Sequence, residues 1–421
     1  MNITLHRPEF AREVVAPTSK SAAHRVLIAA AFADRPTRVH VSGAGADIAA
    51  TVRCLVGLGA KISETPDEGD AWLEVTPIKH VVKNAVLDCG ESGSTLRFMV
   101  PVAAALGASA TFLRRGRLPE RPMEPLTGLL LANGVICTDN PDGSLTVTGK
   151  LHAGDYAIAA NVSSQFITGL LFALTLTEGT STLTLTGEIE SAPYIEMTVG
   201  ALAAFGAAPA RSSDKRRYRL GGQALRSPGE LYPEGDFSGA AFPLAAGALG
   251  KHPVTVRGLD LASAQGDMAI LDLLQRFGAN VERDQKNGCV TVSPAPLHGI
   301  NIDAKQIPDL VPILAVIAAT AAGKTVISGA ARLRLKESDR IATTAALLRA
   351  LGGSVEENDD GLVVEGASLT GGLVEGANDH RIVMSGAIAA LIAQGDVTVT
   401  DVGAVAKSYP RFFELITNTA D

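Results

Sequence analysis

Six stretches of this 421-residue chain follow one pattern, a short polar cluster and then an almost unbroken apolar run. They read SKSAAHRVLIAAAFA, ESGSTLRFMVPVAAALG, NVSSQFITGLLFALTL, GDFSGAAFPLAAGALG, IPDLVPILAVIAATAAG and NDHRIVMSGAIAALIA. Counted from Lys20, Ser94, Ser164, Ser238, Asp309 and His380, they recur at intervals of 74, 70, 74, 71 and 71 residues. Runs this apolar predict helices buried on every side. A second series runs out of phase with the first. LVGLGAKI, LLLANGVI, ALAAFGAA, LLQRFGAN and LRALGGSV each close a helix-like segment on a glycine: Gly59, Gly134, Gly206, Gly278 and Gly352. A glycine there predicts a left-handed helix stop. Strand-like runs such as WLEVTP, SLTVTG, GCVTVSP and LVVEGA follow.

The repeating unit is therefore about 72 residues: buried helix, strand, second helix, two strands. That is too long for a solenoid repeat and long enough for a small α/β layer. Six units divide as three plus three. RSPGELYPEGDFS (226–238), rich in Pro, Gly and charge, marks the boundary. The strand-like NITLHRP precedes the first full unit, and the last unit lacks its final strands. Both facts fit a chain that starts in one domain, builds the other and returns. The expectation is a discontinuous domain, 1–18 plus 235–421, with an inserted domain, 19–234, and crossings near 16–19 and 232–236.

Composition narrows the chemistry. The chain is 46% hydrophobic but only 4% aromatic, so its core must be Ala, Leu, Ile and Val. A net charge of −7 argues against a general nucleic-acid binder and leaves any anionic ligand to a local basic site. No apolar run reaches the roughly 18 residues of a membrane span. The longest candidate, 310–323, predicts a buried helix. MNITLHRPEF does not resemble a signal peptide. Cys54, Cys89, Cys137 and Cys289 are scattered singly, without metal-ligand spacing or a disulfide framework, which fits a reducing cytoplasm.

The polar helix starts hold the candidate chemistry. Ser19, Ser21, Ser94, Ser163, Ser164, Ser238, Asp309 and Asp379 are natural N-caps. Capping does not explain Lys20, Arg25, Arg97 and Arg381 beside them, because cations disfavour the positive end of a helix. Free N–H groups plus cations at a helix start form an anion site. An anionic ligand would offset the clash of Lys20 with its own helix. Further cations lie in RRGRLPERPMEP, which places Arg121 in a loop, and in AKSYPRFF, which holds Lys407. RLRLKESDR packs Arg332, Arg334, Lys336, Glu337, Asp339 and Arg340 into nine residues, with Ser338 the expected cap of the helix ending at Gly352.

PTSKSAAHR, GESGSTLR, VSSQF, SAPYIEMT, IPD, RLKESDRI, NDHR and AKSYP occur in this order across nearly the whole chain. In these motifs the chain resembles the 5-enolpyruvylshikimate-3-phosphate synthase family (3-phosphoshikimate 1-carboxyvinyltransferases). The resemblance implies an α/β fold of two similar domains, each of three βαβαββ repeats in an inside-out α/β barrel, with the active site in the interdomain cleft. It implies an alkyl or aryl transferase of the shikimate pathway to chorismate and the aromatic amino acids. The enolpyruvyl group of phosphoenolpyruvate would pass to the 5-hydroxyl of shikimate 3-phosphate, releasing phosphate, with no metal or organic cofactor. The partners implied are these two small molecules only, with no nucleic acid and no membrane, and the protein would be a cytoplasmic monomer.

Carried onto this chain, the resemblance has Lys20 touch both substrates and take part in catalysis. Ser21, Arg25, Ser163, Ser164, Gln165, Ser191, Tyr194, Asp309 and Lys336 would bind shikimate 3-phosphate. Gly93, Arg97, Arg121, Gln165, Arg340, Arg381 and Lys407 would bind phosphoenolpyruvate. Asp309 would be the base on the 5-hydroxyl and Glu337 the acid at the methylene carbon. Each substrate carries a phosphate and a carboxylate, which fixed Arg and Lys side chains must neutralise. Addition across the enol bond also needs one proton removed and another delivered, which two carboxyl groups in opposite protonation states can do.

The chain departs from the family pattern at ESGS, with Glu91, Ser92 and Ser94, and at Phe98 and Arg332. The nearest alternative is the sister enolpyruvyl transferase of UDP-N-acetylglucosamine. It uses a cysteine on the loop where this chain has RLPERPMEP, and no cysteine lies between Cys89 and Cys137. A catalytically inactive anion-binding paralogue is the other alternative. The joint presence of Asp309, Glu337, Lys20 and Arg340 argues against it.

Overall fold

The two helical series of the sequence are both present in the computed structural model, which describes residues 1–67, 70–221 and 223–419. The helices are α1 (Lys20–Ala31), α2 (Ala46–Leu58), α3 (Gly93–Ala105), α4 (Leu126–Ala132), α5 (Ser164–Leu176), α6 (Ala192–Ala204), α7 (Phe237–Leu249), α8 (Ile270–Phe277), α9 (Val311–Ala318), α10 (Arg340–Ala350) and α11 (His380–Ala389). The odd-numbered helices are the apolar runs, with one 3-10 turn, Pro308–Leu310, ahead of α9, and α7, α9 and α11 are buried along nearly their whole length. The even-numbered helices end on the five expected glycines. All five have positive φ, from 75° at Gly206 to 117° at Gly59, a region that costs glycine no Cβ clash.

The chain divides into two compact units, Met1–Ser19 with Glu234–Asp421, and Lys20–Pro233. Each has its own core of Ala, Leu, Ile, Val and Phe. Six four-stranded sheets accompany the helices, one per repeat. In the second repeat Asn84–Asp88 pairs parallel with Ser109–Leu113, which pairs antiparallel with Leu145–Gly149, and Val135–Asp139 takes the outer edge. The parallel pair needs a crossover, and α3 supplies it. The same order recurs in the repeats containing α5 and α9.

Three repeats borrow a strand from elsewhere in the chain. Glu230–Leu231 pairs parallel with Thr37–Val41 and so opens the repeat of α1. Glu13–Val15 does the same for the repeat of α7. Ile3–Phe10 lies between Val397–Val399 and Ile416–Thr419 and completes the last repeat. That repeat departs from the βαβαββ pattern, because short 3-10 turns at Val402–Lys407 and Phe412–Leu415 stand where a second helix was expected.

Close helix packing relies on a glycine in α5. A Cβ at Gly169 would lie 2.4 Å from the Arg97 carbonyl oxygen and 2.7 Å from the Pro101 ring, so only glycine lets α5 approach α3 this closely. This contact sets the spacing between the two helix starts that carry Arg97 and Gln165. Cys54 and Cys89, read as isolated in the sequence, are brought together with their sulfurs 3.8 Å apart as buried thiols. Among the described residues no helix is long and apolar enough to cross a membrane.

Candidate active site

In the unit Lys20–Pro233, helix starts gather cations among neutral acceptors. Lys20 opens α1, and its Nζ lies 3.0 Å from Asp47 Oδ2 in the first turn of α2. The negative charge that offsets Lys20 here is thus an internal carboxylate. Asp47 gave no signal in the sequence, since an acidic residue in a first turn is ordinary. His24 Nδ1, Thr51, Thr95 and Ser92 form a buried hydroxyl chain that ties the starts of α1, α2 and α3 together. Burial, then Lys20 and Arg25, holds the His24 imidazole well below its ordinary pKa, so it is neutral.

Arg25 is buried, one turn further along α1. Its Nε donates to Thr198 Oγ1 (2.9 Å), Nη1 to the Ser21 carbonyl (2.6 Å), and Nη2 to Thr168 Oγ1 (3.1 Å) and the Tyr194 carbonyl (2.9 Å). Four of its five donors are thus spent on neutral acceptors. With no carboxylate against it, burial pushes its pKa down to about 10. Arg97 Nη1 donates to Gln165 Oε1 (2.7 Å), Arg97 Nη2 to the Pro122 carbonyl (2.8 Å), and Gln165 Nε2 to Ser94 Oγ (2.8 Å). Arg121 is buried with its guanidinium over Gly93, where a Cβ would lie 2.6 Å from Nη1. Ser163 and Ser164 open α5, and Ser191, at φ 55°, precedes α6, whose first turn carries Tyr194.

In the other unit cations and carboxylates alternate. Arg340, 1% exposed, is the hub. Its Nη1 donates to Asp309 Oδ1 (2.7 Å), Nη2 to Glu337 Oε2 (2.7 Å), and Nε to Asp379 Oδ2 (2.8 Å). Burial alone would lower its pKa, but Asp379, Glu337 and Asp309 hold it above the ordinary arginine value. Asp309 sits in a 3-10 turn ahead of α9, with Lys336 Nζ at 3.6 Å from Oδ1 and Arg381 Nη2 at 3.4 Å from Oδ2. Burial alone would raise its pKa, but Arg381, Lys336 and Arg340 pull it well below the usual carboxylate range. Asp309 is therefore ionised at neutral pH. Lys407 Nζ donates to the Asn378 carbonyl on the loop before α11.

Several caps lie one or two residues from their expected positions. Ser92, not Ser94, caps α3; Asp236, not Ser238, caps α7; and Asp339, not Ser338, caps α10. Each start has several cap-competent residues in a row, and the local backbone selects among them. The displaced hydroxyls bond elsewhere: Ser94 to Gln165, Ser238 to Asp267, Ser338 to Asp379. Asp379 caps α11 as expected and also holds Arg340, a second duty that the sequence did not disclose.

With the geometry in place, comparison with known proteins assigns the lineage. The model of the family described as EPSP synthase (3-phosphoshikimate 1-carboxyvinyltransferase) matches residues 7–416. The chain belongs to the EPSP synthase family. The 3-phosphoshikimate 1-carboxyvinyltransferase of Clostridium novyi (strain NT) is 37% identical over 423 residues, covering 98% of this chain and 96% of that protein. The enzyme of the same name from Halobacterium salinarum (strain ATCC 29341) is 40% identical over 411 residues, covering 95% and 94%. Among solved structures, EPSP synthase from Acinetobacter baumannii superposes with a TM-score of 0.78 at 25% identity, covering 100% of both chains. The enolpyruvyl transferase NikO from Streptomyces tendae shares the fold, with a TM-score of 0.77 at 20% identity and coverage of 100% of this chain and 99% of that one.

The departures from the family pattern have local accounts. Ser92 and Ser94 serve the α3 cap and the Gln165 amide. Phe98 lies under Arg25, with the guanidinium carbon 5.2 Å from the ring centroid. Arg332 donates from Nη2 to the Lys305 carbonyl (2.9 Å).

Proposed function

We propose that this chain transfers the enolpyruvyl group of phosphoenolpyruvate to the 5-hydroxyl of shikimate 3-phosphate and releases phosphate, on the route to chorismate and the aromatic amino acids. The observation that carries the reading is the pair of carboxyl groups, Asp309 and Glu337, held on one buried guanidinium, with Asp309 kept ionised by three cations. Asp309 takes the proton of the 5-hydroxyl as its oxygen bonds to the central carbon of phosphoenolpyruvate. Glu337 delivers a proton to the methylene carbon, giving a tetrahedral intermediate. In the second step Glu337, now ionised, takes a methyl proton back, the carbon–oxygen bond to phosphate breaks, the enol double bond re-forms, and the departing phosphate takes the proton held by Asp309. The reaction needs no metal or organic cofactor.

The cations divide between the substrates. Ser21, Arg25, Ser163, Ser164, Gln165, Ser191, Tyr194 and Lys336 serve shikimate 3-phosphate. Gly93, Arg97, Arg121, Arg340, Arg381 and Lys407 serve phosphoenolpyruvate, and Lys20 serves both. Arg340 acts mainly by aligning the two carboxyl groups, because four of its donors already meet protein carboxylates. The enzyme is read as a cytoplasmic monomer; the four free cysteines fit a reducing compartment.

The test is phosphate release from phosphoenolpyruvate mixed with shikimate 3-phosphate or with UDP-N-acetylglucosamine. Release with shikimate 3-phosphate alone is expected. Release with the nucleotide sugar alone would assign the sister reaction, and release with neither would leave an anion-binding paralogue.

A further inference from the structure

Asp267 lies in the 3-10 turn Gly266–Ala269 that leads into α8, away from every sequence motif discussed above. Its carboxyl is buried, yet among the described residues no cation forms a salt bridge with it. Oδ2 accepts a hydrogen bond from the Ser238 hydroxyl, and Oδ1 has no hydrogen-bond partner. Ser238 in turn accepts from Arg381 Nη2 at 3.1 Å. A hydroxyl has one proton, so a Ser238 oxygen that receives the guanidinium must turn its own proton to Asp267. The same guanidinium reaches the Asp309 carbonyl from Nη1 at 3.1 Å and the Asp309 carboxylate from Nη2 at 3.4 Å. Arg381 is thus held between two acids, Asp309 directly and Asp267 through one hydroxyl.

We propose that Asp267 is a positioning residue for the enolpyruvyl transfer, acting through the Ser238 hydroxyl to set how strongly Arg381 holds an anionic substrate. This rests on the function proposed above and on Arg381 meeting phosphoenolpyruvate. When Asp267 is charged, the guanidinium answers to two carboxylates and is drawn toward Ser238. When Asp267 is neutral, one carboxylate fewer draws on it, and more of its charge is left for substrate.

Three charged groups face Asp267: Asp309 from the turn before α9, Asp236 from the α7 cap and Arg381 from α11. Burial and then Asp309 push its carboxyl up to about 7, with Asp236 adding to the rise while Arg381 and the Ser238 hydrogen bond oppose it. The sign follows. Below that value Asp267 is neutral and the substrate is held more tightly. Above it Asp267 is charged, and binding an anion at Arg381 must draw a proton onto it. Affinity for phosphoenolpyruvate should therefore weaken as pH rises through about 7.

The experiment compares wild type with Asp267→Asn, which keeps the acceptor for Ser238 but cannot titrate. The KM for phosphoenolpyruvate is measured from pH 6.5 to 8.5 at saturating shikimate 3-phosphate. Substrate titration is common to both proteins and cancels in the ratio. The ratio of wild-type to variant KM should rise about threefold or more across this range, in line with single-proton linkage. A second variant, Ser238→Ala, should show the same rise in the ratio, because without the hydroxyl Arg381 no longer answers to the titration of Asp267. A flat ratio in an active pair of proteins overturns the proposal, including when Asp267→Asn merely lowers the melting temperature. A KM in Ser238→Ala that keeps the wild-type pH dependence overturns the hydroxyl link. Wild type that releases no phosphate overturns the proposed function itself, and this inference with it.

Discussion

Arg25 and Arg340 are both buried arginines beside a candidate site, and they are stabilised in opposite ways. Arg25 is surrounded by hydroxyls and carbonyls, and its pKa falls to about 10. Arg340 is surrounded by Asp309, Glu337 and Asp379, and its pKa rises. The clusters around them differ in the same sense. Lys20, Arg25, Arg97 and Arg121 share their unit's site with Asp47. Lys336, Arg340, Arg381 and Lys407 share theirs with Asp309, Glu337, Asp379 and Asp267. A cation surplus suits holding polyanions, and cations matched by carboxyl groups suit moving protons. On the proposed function the first region leans toward binding and the second adds proton transfer to it, although both grow from the same repeat.

The largest expected effect separates the two arginines. Arg340→Met leaves the buried Asp379 and the partly buried Asp309 and Glu337 without their shared cation, so it should cost about 3–5 kcal/mol of stability. Arg25→Met removes hydrogen bonds to neutral groups, and Thr168 and Thr198 still bond each other at 2.8 Å, so about 1–2 kcal/mol is expected. Urea denaturation of both variants measures the difference, and equal losses would break the contrast. Next comes Lys20→Ala. It should lose about 3 kcal/mol of transition-state stabilisation in kcat/KM, with an unfolding midpoint near that of wild type. Activity within threefold of wild type would remove Lys20 from the site.

A smaller effect tests the spacing of α3 and α5. Ala normally stabilises a helix over Gly by about 1 kcal/mol. At Gly169 the added Cβ meets backbone of α3 at 2.4 Å, so Gly169→Ala should instead destabilise by about 1–3 kcal/mol. Thermal unfolding decides the sign, and a raised midpoint would contradict the packing argument.

What the sequence disclosed is what is local. The 72-residue period, the wholly apolar helices and the five helix-ending glycines can be read without knowing what touches what. The cations at helix starts were legible because they sit where a helix dipole opposes them. Their partners were not, because Asp47, Asp267 and Asp379 occupy positions where an acid is ordinary and needs no explanation. The RLRLKESDR run shows the same limit. Arg334 braces Asp339 and Glu357 near the surface, whereas Arg340, six residues on, is the buried hub. Charge and spacing are alike for the two. Only the fold around α10 separates them.

The central claim is that the carboxyl groups of the Arg340 cluster move the protons, with Glu337 serving the methylene carbon. Glutamine at 337 keeps the size and accepts from Arg340 but has no acidic proton to give. Glu337→Gln should bind both substrates within about tenfold of wild type and lose at least ~10²-fold in turnover, the usual scale for general acid catalysis. The most direct measurement is the reaction in heavy water, following deuterium into the methyl group of the tetrahedral intermediate and into recovered phosphoenolpyruvate. The account predicts that Glu337→Gln slows this incorporation in step with turnover. Incorporation at the wild-type rate in Glu337→Gln, with incorporation abolished in Asp309→Asn, would contradict it.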